Sequence, residues 1–459
     1  MALLSTCAAL FSSCGGGSGG NAAPPTYSIG GTIQGLRGAG LVLQNNGGGN
    51  LSVPAGASSF QFPGSATSGT AYDVTVLASP LGPPAQTCIA QNGSGTVSNS
   101  NPHISVTCAT VASELLIGVD ANGTIYAFPI DPDTGSLRAA SVTVTAGATA
   151  LATDPSGKFV YTASLSASTV SGYTVTSAGG LQSIPGSPFP APGAPDGLVI
   201  EPSGHYLYAS TAPGFLGYSV DSADGVLTPI AGSPFPPPPF TPDPAIPAGP
   251  VSCQAGCAAT TSALVATTFY GVPSYTLAAF TIDSTTGALT GTSTSTLPDA
   301  DAASEDLVID RSGNFLYVTG PDPGLLQYKL DSANANVTLI NDLDTPTITF
   351  GVMTTEPSGK YLYASASVND ADQVLLEQFS IDPATGLLTT VPTAPLIRQP
   401  PHAITLVVEH SGKFLYAVSG ATVYGYSIDD TTGQLTQLTN SPFTISATLT
   451  AVSTALIPQ

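Results

Sequence analysis

Lysine and arginine together number eight in 459 residues, and charged side chains of either sign make up 8%, against about 25% in average usage. The balance is nonetheless acidic, with a formal net charge of −21. So few cations on an acidic surface exclude nucleic acid and anionic membrane surfaces as partners, because neither polyanion is attracted. The same field opposes steering a phosphorylated metabolite into a site. No uninterrupted apolar run reaches about 18 residues, so no membrane-spanning helix is predicted. A Walker-type loop, a zinc-ligand spacing and a Ser/His/Asp pattern are also missing, and no cofactor is implied. GGSGG at 16–20 has the nucleophile-elbow spelling, but no strand precedes it and no helix follows.

What is present is 50 glycines, 41 prolines and a 42% hydrophobic share, arranged in short β-branched and aromatic runs. That pattern fits an all-β chain with many turns rather than a disordered polymer. The length calls for more than one domain or a repeat array.

The first 20 residues, MALLSTCAALFSSCGGGSGG, combine an apolar stretch, small residues, a cysteine and a flexible tether. They resemble a bacterial lipoprotein signal, which implies lipidation at Cys14 and an exported protein: a lipoprotein of the outer membrane or cell surface, or a periplasmic or secreted one. Residues 1–25 are assigned to signal and tether, with a plain disordered terminus as the alternative. Membrane association would then run through the lipid alone. Four further cysteines fall into two local pairs, Cys88 with Cys108 and Cys253 with Cys257. Neither pair has metal-ligand company, so disulfides are predicted, in keeping with export. Loop closure gives the first roughly 3 kcal/mol.

Between residues 26 and 110, short alternating runs separated by Gly, Asn and Pro clusters predict a small antiparallel sandwich. It looks like the Ig-like or prealbumin-like modules of exported bacterial proteins, and a spacer role is expected.

From residue 112 the chain repeats itself. PSGKFVYTAS, PSGHYLYAST, RSGNFLYVTG, PSGKYLYASA and HSGKFLYAVS begin at Pro155, Pro202, Arg311, Pro357 and His410. A second element, such as YSVDSADGVL, recurs with an Asp that caps a turn and a Gly at the position needing φ > 0, the chemistry of a hairpin. Asp131 to Gly135 also permits a calcium reading, though the remaining ligands of such a loop are missing. Divided by seven, residues 113–459 give about 50 residues per unit, the period of a four-stranded propeller blade. The first unit lacks a first strand and the chain ends in LTAVSTALIPQ, which has that strand's pattern. A seven-bladed β-propeller closed by its own tail is therefore predicted over 112–459, with an open solenoid as the alternative.

The repeat phrase, the GSPFP stretches at 186–190 and 232–236, and the Asp-x-x-x-Gly-x-Leu hairpins resemble the lactonase-like propeller family of 6-phosphogluconolactonases and YVTN-type surface proteins. The resemblance implies a polar site at the mouth of the central channel, built where the innermost strands begin. Thr149, Asp196, Glu305 and Gly351 each stand eight residues before a turn glycine. PPHA is similar to the family's Pro-His element, and RQPPHAI brings Arg398 and His402 near the same place in the seventh blade. As a lactone hydrolase, His402 would activate water and Arg398 would hold the oxyanion. The alternative for these two is a rim histidine and a surface arginine.

The acidic run with Asp299, Asp301, Glu305 and Asp306 is open to a calcium site or a solvated loop. The proline-dense residues 233–257 are open to partner recognition or to a rigid connector. Two functions follow: a monomeric binding scaffold for a protein, glycan or small molecule, or a lactonase.

Overall fold

The computed structural model describes residues 24–80, 86–110, 114–145, 147–212, 214–238, 251–260, 262–269, 275–297, 306–319, 324–331, 333–344, 348–368, 374–392, 396–397 and 404–458. The chain divides into two units, Met1–Thr110 and Val111–Gln459.

The first unit is a small β-sandwich. One sheet runs in the order Ser59–Gln61, Gly30–Gln34, Ile104–Thr110, Gln86–Gln91, and the other Gly48–Val53, Leu41–Asn45, Ala71–Ala78, Ser94–Thr96. The two-residue side-chain period turns Leu41, Leu43 and Val74 of one sheet and Ile33, Phe60 and Val106 of the other into a single core. Cys88 and Cys108 face each other on antiparallel neighbours and form a disulfide. That bridge lies within one sheet, whereas an immunoglobulin bridge crosses between two.

The second unit is a seven-bladed propeller. Innermost strands are Ala150–Thr153, Gly197–Ile200, Val251–Ala259, Asp306–Ile309, Ile348–Thr355 and Ile404–Val408 in blades 2 to 7. In blade 1 that place is taken by the end of the C-terminal strand Phe443–Leu456. Each innermost strand touches the next, from blade 1 round to blade 7 and back to blade 1. Closure follows the sequence expectation: Glu114–Asp120 pairs antiparallel with the tail, Glu114 opposite Leu456 and Val119 opposite Ala451. The proline-dense region is less of a loop than expected, since Phe235 bridges to Phe215 and Val251–Ala259 is strand, its register shifting between Ser252 and Cys257.

Second strands are apolar without alternation because both faces are covered by neighbouring blades. Glu114–Asp120 and Phe159–Ser164 are buried at every position. The tyrosine of the repeat phrase joins blades by donating its hydroxyl to the turn glycine of the next one. Tyr161 reaches Gly225 O (2.7 Å), Tyr208 Gly287 O (2.9 Å), Tyr317 Gly386 O (2.9 Å), Tyr363 Gly433 O (3.0 Å) and Tyr416 Gly135 O (2.8 Å).

These glycines answer two demands at once. Gly433 has φ +73°, and a Cβ there would stand 2.3 Å from the ring of Tyr361, the first residue of its neighbour's second strand. Blade 4 breaks the pattern on both sides. It carries Ala263 and Val265 where the other phrases have an aromatic and the clasping tyrosine, and the turn it faces carries Ala335 in place of glycine. Ala335 keeps the left-handed φ of 55° and packs with Ala263 and Val265 in one apolar cluster. Its methyl group fits because no ring occupies the space. Tyr363→Phe, which leaves the Gly433 carbonyl without its donor, should cost about 1 kcal/mol, read as a lower denaturant midpoint at unchanged slope.

The SPF motifs close the outer edges of blades 2, 3 and 7. Ser187, Ser233 and Ser441 accept the main-chain N–H groups of Gly172, Gly217 and Gly425 at 3.0, 3.0 and 2.9 Å. Phe189, Phe235 and Phe443 then fold back along the third strand. A short outer strand followed by this return leaves little free edge for another chain to pair with.

Candidate functional site

The two ends of an innermost strand have different chemistry. Where the strands begin, the predicted mouth residues Thr149 and Asp196 stand just before the first position in blades 2 and 3, and Asp306, from the acidic run, stands at the first position in blade 5. Thr149 is exposed, and both its N–H (2.7 Å) and its hydroxyl (3.2 Å) donate to Ala163 O. Asp196 is half-buried; its N–H donates to Ser210 O at 3.1 Å and its carboxylate accepts the Ser210 hydroxyl. Asp306 accepts N–H bonds from Leu307 (2.8 Å) and, across to blade 6, from Met353 (2.6 Å). Beside it the Thr319 hydroxyl donates to Gly351 O at 2.8 Å. Gly351 lies where the blade 6 strand shifts register, between Phe350 and Met353. The described hydrogen bonds of these three residues therefore run within a blade or to the next one.

Arg398, His402, Glu305, Asp299, Asp301 and Cys14 lie outside the described residues. Cys253 and Cys257 belong to the innermost strand of blade 4, but their side chains lie outside the described residues, as does the pairing expected of them. At Asp131 the turn accounts for the carboxylate, which accepts N–H bonds from Asp133 and Thr134 at 3.1 Å each and pairs with Arg138 at 3.3 Å. Among the described residues, no group of three or more His, Cys, Asp or Glu side chains is arranged to hold a metal ion.

The other ends of the innermost strands hold a set of acids that sequence reasoning missed. Asp154, Glu201, Asp310, Glu356 and Glu409 each precede a Ser-Gly turn by two positions and are at most 7% exposed. Each carboxylate turns back over its own hairpin. Glu356 accepts the Ser358 N–H and hydroxyl (2.6 Å each), the Lys360 N–H (2.7 Å) and the Tyr361 N–H (3.3 Å). In blade 4 the Thr260 hydroxyl does the same, accepting N–H bonds from Ser262 and Ala263 at 3.2 and 2.8 Å. A buried carboxylate that accepts several N–H bonds is satisfied without a cation, so part of the acid surplus is structural. The signal was there to be read: the residue before Pro-Ser-Gly is acidic every time.

Blade 1 has no such hairpin, since its two inner strands come from opposite ends of the propeller. There Glu114 meets His410 of blade 7, with Nδ1 2.6 Å from Oε1. His410 and Glu114, with Glu409, Lys413, Phe414 and Leu456, line a cavity of about 260 Å³. Burial raises the carboxyl pKa of Glu409, and neighbouring Glu114 adds to it. Burial alone would lower the imidazole pKa of His410, but hydrogen bonding to Glu114 and nearby negative charge outweigh it and the net shift is upward.

Residues 349–451 match the family described as lactonase, 7-bladed beta-propeller. No curated protein matches the chain. Among solved structures, a candidate 6-phosphogluconolactonase from Bacteroides fragilis is 18% identical with a TM-score of 0.57, over 76% of this chain and 99% of that one. One from Bacteroides uniformis is 19% identical with a TM-score of 0.56, over 75% and 99%. The periplasmic gluconolactonase of Pseudomonas aeruginosa is 16% identical with a TM-score of 0.55, over 76% and 100%. At these identities the likeness establishes the fold.

Proposed function

We propose, from the premise that Val111–Gln459 forms a lactonase-like seven-bladed propeller, that the chain works as an exported binding module. It would be tethered by lipid at Cys14 and would engage a protein, glycan or small neutral ligand through the loops around the start of the innermost strands. One observation carries this reading. Asp196 and Asp306, carboxylates at the starts of the innermost strands of blades 3 and 5, accept hydrogen bonds from Ser210, Leu307 and Met353. They serve the scaffold, which leaves recognition to the loops, where binding residues usually reside.

A second reading is favoured by the family match, whose span includes Arg398 and His402. It is lactone hydrolysis with His402 as base and Arg398 at the developing oxyanion. An unphosphorylated lactone suits an acidic protein better than a sugar phosphate. A panel of such lactones, given to wild type and His402→Ala, separates the two. The binding reading expects equal rates; a general base expects the variant to lose about 100-fold or more, and that loss would remove the binding reading as the principal one.

A further inference from the structure

The residue after each capping acid opens the turn: Pro155, Pro202, Arg311 and Pro357 in blades 2, 3, 5 and 6, and His410 in blade 7. Proline has no N–H to give. His410 has one, and directs it at both carboxylate oxygens of Glu114, 2.9 and 3.1 Å away, while its ring Nδ1 lies 2.6 Å from Oε1. The Thr454 hydroxyl is 3.2 Å from the same ring nitrogen. Glu114 opens one strand of the closing pair and Thr454 belongs to the other, opposite Leu116. One side chain of blade 7 thus holds both strands of the seam at which the ring closes. The repeat unit departs from proline twice, with Arg311 in blade 5 and with His410 in blade 7, the blade that faces this seam.

We propose that the Glu114–His410 contact is a proton-operated latch, tightening the seam between the last and first blades when the imidazole is charged and loosening it when the imidazole is neutral.

The ring can titrate in the folded protein, because the His410 side chain is 29% exposed and borders the cavity. Glu114 faces it from blade 1, Glu409 and Lys413 lie beside it on blade 7, and Asp154 acts from blade 2. Three acids against one lysine favour the charged ring. A neutral imidazole protonated at Nδ1 would keep the hydrogen bond and lose the charge, so the latch slackens without opening. The sign is set by the upward shift of His410. The stabilisation is complete below the free imidazole value of about 6.5 and is lost as pH rises through the higher folded value. Glu409, also shifted upward, acts in the same direction in a lower window that begins near about pH 4.3.

Hydrogen exchange on the full chain tests the latch, with rates corrected for their intrinsic pH dependence. Between pH 6 and pH 8.5, protection of 114–120 and 449–456 should fall as His410 loses its proton, while that of 206–220 in blade 3 stays constant. His410→Gln and Glu114→Gln should remove the dependence. His410→Pro writes the turn as blades 2, 3 and 6 have it, so it should fold and give a flat profile. A flat profile in wild type, or an unchanged slope in His410→Pro, overturns the proposal.

Discussion

Removing residues 443–459 is expected to abolish the cooperative unfolding transition of the propeller and to lower soluble yield at least about tenfold. The deleted segment is the innermost strand of blade 1 and the only partner of Glu114–Asp120 on that side. Without it Leu115, Leu116, Ile117 and Val119, all at 0% exposure, lie along an open strand edge, the arrangement that invites aggregation. Leu449 and Ala455 go with the deletion. Fully burying one aliphatic side chain contributes about 1.5–3 kcal/mol, and a folded domain has only about 5–15 kcal/mol in hand. The loss therefore exceeds the margin. Calorimetry of the truncated chain decides the matter; a melting transition like that of wild type would mean that the tail is an accessory and the ring closes by other contacts.

Gly433→Ala is expected to destabilise by about 3 kcal/mol, combining roughly 1–2 for a Cβ in the left-handed region with overpacking against a buried ring. The obstructing group is the ring of Tyr361, 2.3 Å from the would-be Cβ. Tyr361→Ala also destabilises by itself, through the apolar contacts it loses. The double variant rebuilds at blades 6 and 7 the small pair that Ala263 and Ala335 form at blades 4 and 5. It should therefore cost less than the sum of the singles by about 1–2 kcal/mol. Additive effects in denaturant unfolding would show that the two positions do not compete for the same space.

The ring and its closure were legible because the signals involved are local. Asp-capped hairpins and the Ser-Gly turn are set by a few adjacent residues, and a strand covered on both faces reads as an unbroken apolar run. Blade 4 was the least legible. Its opening turn is TTSA instead of Pro-Ser-Gly, and its innermost strand Val251–Ala259 is interrupted by a register shift that the proline-dense surroundings hide. The Cys88–Cys108 pairing followed from spacing, whereas its place inside one sheet depends on a strand order that spacing does not encode. The capping acids went unseen for another reason. Their role depends on turn N–H groups pointing back toward the preceding residue, and only the folded hairpin reveals that. At the channel mouth, sequence offsets found Thr149 and Asp196 at matching places in their blades but passed over Asp306, and gave no hint that Ser210 would occupy one carboxylate and Leu307 and Met353 the other.

Because Glu114 and Leu456 are direct antiparallel partners, the start and finish of the propeller lie a single interstrand spacing apart, about 5 Å. A linker as short as the Pro-Ser-Gly-Lys that joins Asp154 to Phe159 in blade 2 is enough to fuse them. Once fused, the polypeptide has no privileged origin, and new termini can be opened between any two sheets. A set of such rotated chains would place the covalent break at each of the seven positions in turn and rank the blade junctions by how well each survives being cut.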